Sequence, residues 1–265
     1  MLEEQIIPRL LARGGAPTAI HLKRFHSYGL GESHVDQLLT GVEDLVPDGS
    51  VKLGFRTHYP QIETKLTARG TDMDEIQRKL APVQAEVRKR LGNFILGEDD
   101  QTLEGVVLDA LAAREGSLAV VETFTAGQIA ARIAHLPGAE KVFRRGLVAR
   151  ETAELAATLG LGGGLISGEM TRETAERVAE SMRRETSASH ALAVLIEVDD
   201  GPDRIDFGGS IHLAIASEDG VESRRSRIYG GRDWVRLGAA ELGLDCLRRY
   251  LQGLPVTERT DFERV

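Results

Sequence analysis

Apolar positions along the chain change their period partway, and the change divides the sequence into two units. TAIHLKRFHSYG at 18–29 has the composition of a strand, and GLGESHVDQLLTGV then puts Val35, Leu38 and Leu39 on one helical face, with Glu32 or Ser33 placed to cap it. VKLGFRTHYPQIETKLTARG at 51–70 offers two strands separated near Tyr59-Pro60. From Thr71 to Leu91, Met73, Ile76, Leu80, Val83 and Val87 recur at steps of three and four, which predicts an amphipathic helix interrupted near Pro82. The initial MLEEQIIPRLLAR is a short lead-in to this α+β unit. The turn-rich, acidic GNFILGEDDQT marks its end.

Beyond that boundary helices and strands alternate. Helical periodicity is predicted at 103–114, at 126–134 with Ile129 and Ile133 on one face, and at 151–159, 171–185 and 233–251. Between these lie the strand-like runs SLAVVE, VFRRGLVA, HALAVLIEV, GGSIHLAIAS and ESRRSRIYGG. The pattern predicts an α/β fold, with a three-layer α/β/α domain at 102–253 preceded by a small α+β module at 1–97 and followed by a tail at 254–265.

Composition narrows the function classes. With 265 residues, 42% of them hydrophobic and 28% charged, the chain can bury two cores without disulfides or metals. No apolar run approaches the roughly 20 residues that span a bilayer, and the start is acidic where a signal peptide is basic. A cytoplasmic protein with no membrane contact is expected. The seven histidines are scattered without metal-ligand spacing, so no metal site is predicted, and His212 in SIHLAIA is one position of an alternating strand. The single cysteine, Cys246, shares a helical face with Leu242 and Leu247 and is expected to be a packing residue. A net charge of −8 disfavours general nucleic-acid binding, and the basic clusters at 141–150 and 224–227 are expected to be solvated faces.

The segment LAVVETFTAGQIAARIAHLPGA carries the most chemistry, because an apolar strand ends in a small-residue turn that opens onto a helix. Hydroxyls at Thr123 and Thr125, with the amides and positive dipole of the first helical turn, could hold a phosphate or an oxyanion. The plainer alternative is that Thr125 caps the helix and Gly127 permits close packing.

Here the sequence resembles the CinA (competence/damage-inducible) family. VETFTAG followed by LPGA is similar to that family's AESCTGG turn and P-G-A segment, GLVARETAEL at 146–155 to its GVVAYSNEAK, and TRETAERVAESMRR to its S-E-E-V-A helix. DGP at 200–202 is similar to its AGP turn, GSIHLAIA to its G-T-V-Y-I-A-L-A strand, and GGRDWVR at 230–236 to its G-D-R-x-x-V-R segment. HLKRFHSYGLGESHVDQLL and RLGNFILGEDDQTLEGVV resemble the family's middle, KH-like module. The resemblance implies that the family's first unit, which is molybdopterin-binding-like, is not expected here, Met1 to Glu4 aligning with its end.

In that family the C-terminal domain resembles a nicotinamide-nucleotide amidase, with the serine of SCTGG as nucleophile and the tyrosine and lysine of YSNEAK as its helpers. At those positions this chain has Thr123, Arg150 and Leu155. The resemblance further points to Glu122, Thr125, Gly127, Glu140, Gly201 and Arg232 as nucleotide-binding positions, with Glu140 standing where the family has a serine. Threonine can be a nucleophile, but Arg150 stays protonated and Leu155 accepts no proton. The expected protein is therefore CinA-like, catalytically impaired, and a candidate binder of a pyridine nucleotide, with no cofactor and with a homodimer implied by the family. The alternative is an active amidohydrolase using Thr123 with Glu122, Glu151 or Glu154 as base. RNA binding by the small module is not expected, because Gly29-Leu30-Gly31-Glu32 departs from the GXXG loop of KH domains.

Overall fold

The computed structural model describes residues 2–9, 19–162, 170–199 and 208–263. A helical turn at Leu2–Ile6 precedes a four-stranded antiparallel sheet built from β1 (Ala19–Tyr28), β2 (Val51–His58), β3 (Gln61–Gly70) and β4 (Ile95–Glu98), in the order β2-β3-β1-β4. One face of this sheet is covered by α1 (Glu32–Leu39) and α2 (Met73–Leu91), and Phe25, Leu66, Ile76, Leu80, Val83 and Val87 form the core between them.

Two local expectations are corrected here. Helix α1 is preceded by Gly31 and has no side-chain cap, so neither Glu32 nor Ser33 caps it; Asp261 instead accepts from the Gly31 amide. Helix α2 runs unbroken through Pro82, because the lost N–H lies on the solvent side while Leu80 and Val83 are anchored on the other. The boundary segment supplies a strand, β4, whose pairing with β1 completes the sheet.

The larger domain follows. Its helices are α3 (Leu103–Ala112), α4 (Gln128–Ala134), α5 (Ala139–Val142), α6 (Thr152–Thr158), α7 (Arg172–Thr186) and α8 (Arg232–Gln252). Its strands are β5 (Leu118–Glu122), β6 (Phe143–Val148), β7 (His190–Asp199), β8 (Gly208–Ser217) and β9 (Gly220–Tyr229), ordered β6-β5-β7-β8-β9. β5 is parallel to both β6 and β7, whereas β7, β8 and β9 are antiparallel in turn.

Both faces of β5 are apolar, as expected of a covered parallel strand. Leu118 and Val120 join the core under α3, α4, α5 and α8, while Ala119 and Val121 join the core under α6 and α7. Three layers result. The chain leaves β5 for β6 by way of helices on one face and returns from β6 to β7 by way of helices on the other. The carboxyl end of β5 is therefore a topological switch point, where α/β sheets open a crevice.

The segment expected to be a tail is a strap across both units. Val256 is buried in the core of the large domain, Phe262 lies 6.1 Å from Tyr28 of the small one, and the Asp261 amide donates to the Gly29 carbonyl. Apolar residues at 256 and 262 separated by charges show no helical or strand period, so local patterning carried no sign of it.

Candidate functional site

Glu122 is the last residue of β5, and its side chain is fully buried. Its two carboxylate oxygens accept from the backbone amides of Ile129 (3.0 Å) and Ala130 (2.9 Å), in the first turn of α4. A buried carboxylate is tolerable there because donors of the helix's positive end solvate it. Those amides are thus occupied by the chain's own anion. They are not free to hold a phosphate or an oxyanion, as the sequence suggested, and Glu122 has no oxygen left without a donor.

Thr123 is 4% exposed, and its hydroxyl oxygen accepts from the Ile196 amide of β7 at 2.9 Å. The side chain therefore fastens the turn to the neighbouring strand. Among the described residues no carboxylate, imidazole or amine lies within hydrogen-bond reach of that hydroxyl. Glu151 and Glu154 are exposed at the start of α6 and make no contact with it.

Ala126 (φ 58°) and Gly127 (φ 83°) then turn the chain in left-handed conformations, and α4 starts at Gln128 rather than at Ala126. A Cβ on Gly127 would also stand 3.2 Å from Val148. Thr125 does not cap the helix: its hydroxyl is buried without a hydrogen-bond partner, and Glu122 does the capping from the strand.

The side chain between the two threonines organises the mouth. Phe124 is half-buried, with the guanidinium of Arg232 at 5.0 Å and that of Arg150 at 5.8 Å from its ring centre. Arg232 opens α8, and one turn later Arg236 donates to Gln128 of α4 at 2.8 Å. Two cations thus flank one aromatic ring, and the hydroxyl of the next residue, Thr125, is buried and without a partner among the described residues. Such a site offers charge and stacking to an anionic, planar ligand.

Of the positions singled out by sequence, Glu122, Thr123, Thr125, Gly127, Arg150 and Arg232 surround this turn. Leu155 does not join them; it is buried on α6 in the core beneath the opposite face of the sheet. Glu140 is exposed on α5, just before Phe143. Phe143 pairs with Leu118 at the amino end of β5, so Glu140 belongs to the far end of the strands. Gly201 lies outside the described residues. Phe124 and the Ile196 amide were missed. An aromatic residue where the family has a small one was a visible signal for Phe124, whereas a backbone partner 73 residues away leaves no trace in local sequence.

Two other groups with reactive chemistry are removed by burial. It pushes the Cys246 thiol up to about 12, and Cys246 packs inside α8. It also lowers His212, which is buried on β8 with Nδ1 unpartnered.

A family model of the CinA C-terminal domain matches residues 100–251, and one of the KH domain of damage-inducible protein CinA matches residues 23–97. A CinA-like protein from Frankia casuarinae is 34% identical over 263 residues, covering 98% of this chain and 61% of its own length. Another from Myxococcus xanthus is 32% identical over 267 residues, covering 97% and 62%. The chain therefore spans about three fifths of the length of these curated relatives. In the fold alone, a competence or damage-inducible protein from Enterobacter asburiae superposes with a TM-score of 0.52 at 18% identity, over 57% of this chain and 99% of that one. A CinA superfamily protein from Enterobacter cloacae gives 0.51 at 20% identity, over 58% and 95%. With both modules matched in order and a relative 34% identical over 98% of the chain, this chain belongs to the CinA family.

Proposed function

We propose that the large domain binds a pyridine nucleotide at the carboxyl end of β5 without hydrolysing its carboxamide. The observation that carries this is the Thr123 hydroxyl, which is buried, accepts from the Ile196 amide, and has no proton acceptor beside it among the described residues. Attack on an amide requires a base to take the hydroxyl proton. Glu122 is held by two helix amides, the Arg150 guanidinium offers only donors, and Leu155 is a core residue. Binding needs none of these proton transfers. Arg150 presents an exposed guanidinium suited to a phosphate, Phe124 presents a ring edge or face, and the Thr125 hydroxyl awaits a partner.

The test is a pair of measurements with nicotinamide mononucleotide. Ammonia release should stay at the level of buffer alone, and calorimetry should detect binding that Arg150→Ala weakens by roughly tenfold. Turnover that disappears in Thr123→Ala would establish the rival, a threonine amidohydrolase. Absence of any binding would remove the nucleotide from the proposal.

A further inference from the structure

The free edge of the large sheet carries a second cleft, three strands away from β5, or about 14 Å across the sheet. β9 is hydrogen-bonded along one side to β8; on the other, the bridge between Ile228 and Glu263 joins it to the strap. Between that edge, the start of α7 and the strap lies a space of about 460 Å³, lined by Arg172, Arg225, Arg227 and Arg259 with Ser223 and Ser226.

Carboxylates of the described residues also stand here: Glu263 lines the cleft, and Glu173 follows Arg172 at the start of α7. Glu263 is paired with the buried Arg224, Asp199 accepts from Arg227 at 2.9 Å, and Glu176 accepts from Ser223 and lies 3.8 Å from Arg172. Arg225 and Arg259 are exposed and, among the described residues, have no carboxylate partner. The Ser226 hydroxyl is buried and, among the described residues, makes no hydrogen bond.

This concentration of cations is at odds with the rest of a chain whose net charge is −8. Guanidinium groups repel one another unless an anion lies between them, and their planar donors match phosphate oxygens two at a time. Arg225 and Arg227, two residues apart on one face of β9, set their Cα atoms about 6.7 Å apart, so the donors spread beyond the width of a single phosphate. The cleft is small, and a chain of net charge −8 repels a long polyanion, which favours a compact ligand over a nucleic acid.

We propose that this cleft binds a small phosphorylated ligand carrying two or more adjacent phosphoryl groups. The probe is inorganic tripolyphosphate, titrated into the full chain by calorimetry at low and moderate salt. Binding should weaken by about tenfold or more in Arg225→Ala/Arg259→Ala, whose substituted side chains are exposed, and stay unchanged in a charge-matched control, Arg69→Ala/Arg78→Ala. Arg259→Glu, on the strap alone, should weaken it as well, which guards against a double variant that misfolds. Three results would overturn the proposal: no binding at low salt, equal loss in the control, or displacement of the probe by an oligoglutamate peptide at equal charge concentration.

Discussion

Thr123 opens the turn after β5, and its surroundings decide what a hydroxyl can do there. A lone hydroxyl in water is a poor nucleophile, and burial without a base makes it poorer still. What the residue does hold is the Ile196 amide, an N–H of β7 that has no water to turn to. Thr123→Ala should leave that donor unsatisfied and lower unfolding free energy by about 1–3 kcal/mol in denaturant melts, with Thr123→Ser recovering most of it. A change of a few tenths of a kcal/mol would mean that the bond contributes nothing beyond solvent exchange. The residue type was legible in the sequence as a departure from serine. Its structural role was not, because the partner is a backbone group on a strand 73 residues later.

At the scale of elements, β5, its turn and α4 form one unit held by Glu122. The strand places the carboxylate under the helix, and the left-handed pair Ala126 and Gly127 swings the helix over it. Glu122→Gln replaces one acceptor oxygen with an NH2 that faces another N–H, and it removes the charge at the positive end of α4. It should cost about 2 kcal/mol, and the Ile129 and Ala130 amides should lose hydrogen-exchange protection before the rest of the sheet does. Protection that stays uniform would show that α4 is held by packing alone. The alternation of strands and helices was legible because each carries its own apolar period: Val35 and Leu39 on α1, Ala175, Val178 and Met182 on α7, and the two apolar faces of β5. Pro82 does not interrupt α2, since tertiary contacts on one side of the helix outweigh the local signal for breaking.

The whole molecule is fastened through α8, which is buried along most of its length although its sequence, DCLRRYL included, carries charges. Those charges meet partners within the helix and from distant segments. Asp245 accepts from both Arg248 and Arg249, Arg248 also donates to the Asn93 carbonyl at 2.7 Å, and Glu258 of the strap pairs with Arg249. At the other end of the junction Glu241, 2% exposed, accepts from Arg132 at 2.7 Å and from Gln61 of the small domain at 2.5 Å, while Arg132 also reaches Glu104. Burial pulls the Glu241 carboxyl upward, and Arg132 and Gln61 oppose it. No periodicity reveals such a network, since each member looks like a solvated charge until its partner is known. Arg132→Ala should therefore strand an anion in the interior and destabilise the protein by about 3 kcal/mol, with Glu241→Gln in the same background restoring part of that loss. Trp234, the sole tryptophan, reports on the same junction, because its ring lies 3.9 Å from that of Tyr59. In the unmodified chain its fluorescence and far-ultraviolet dichroism should change in a single denaturant transition, since α8 and the strap make contacts with both domains. In Arg132→Ala the fluorescence change should come first, as the small domain parts from α8 before either core melts. Coincident transitions in that variant would instead place the coupling in the aromatic contacts and the strap.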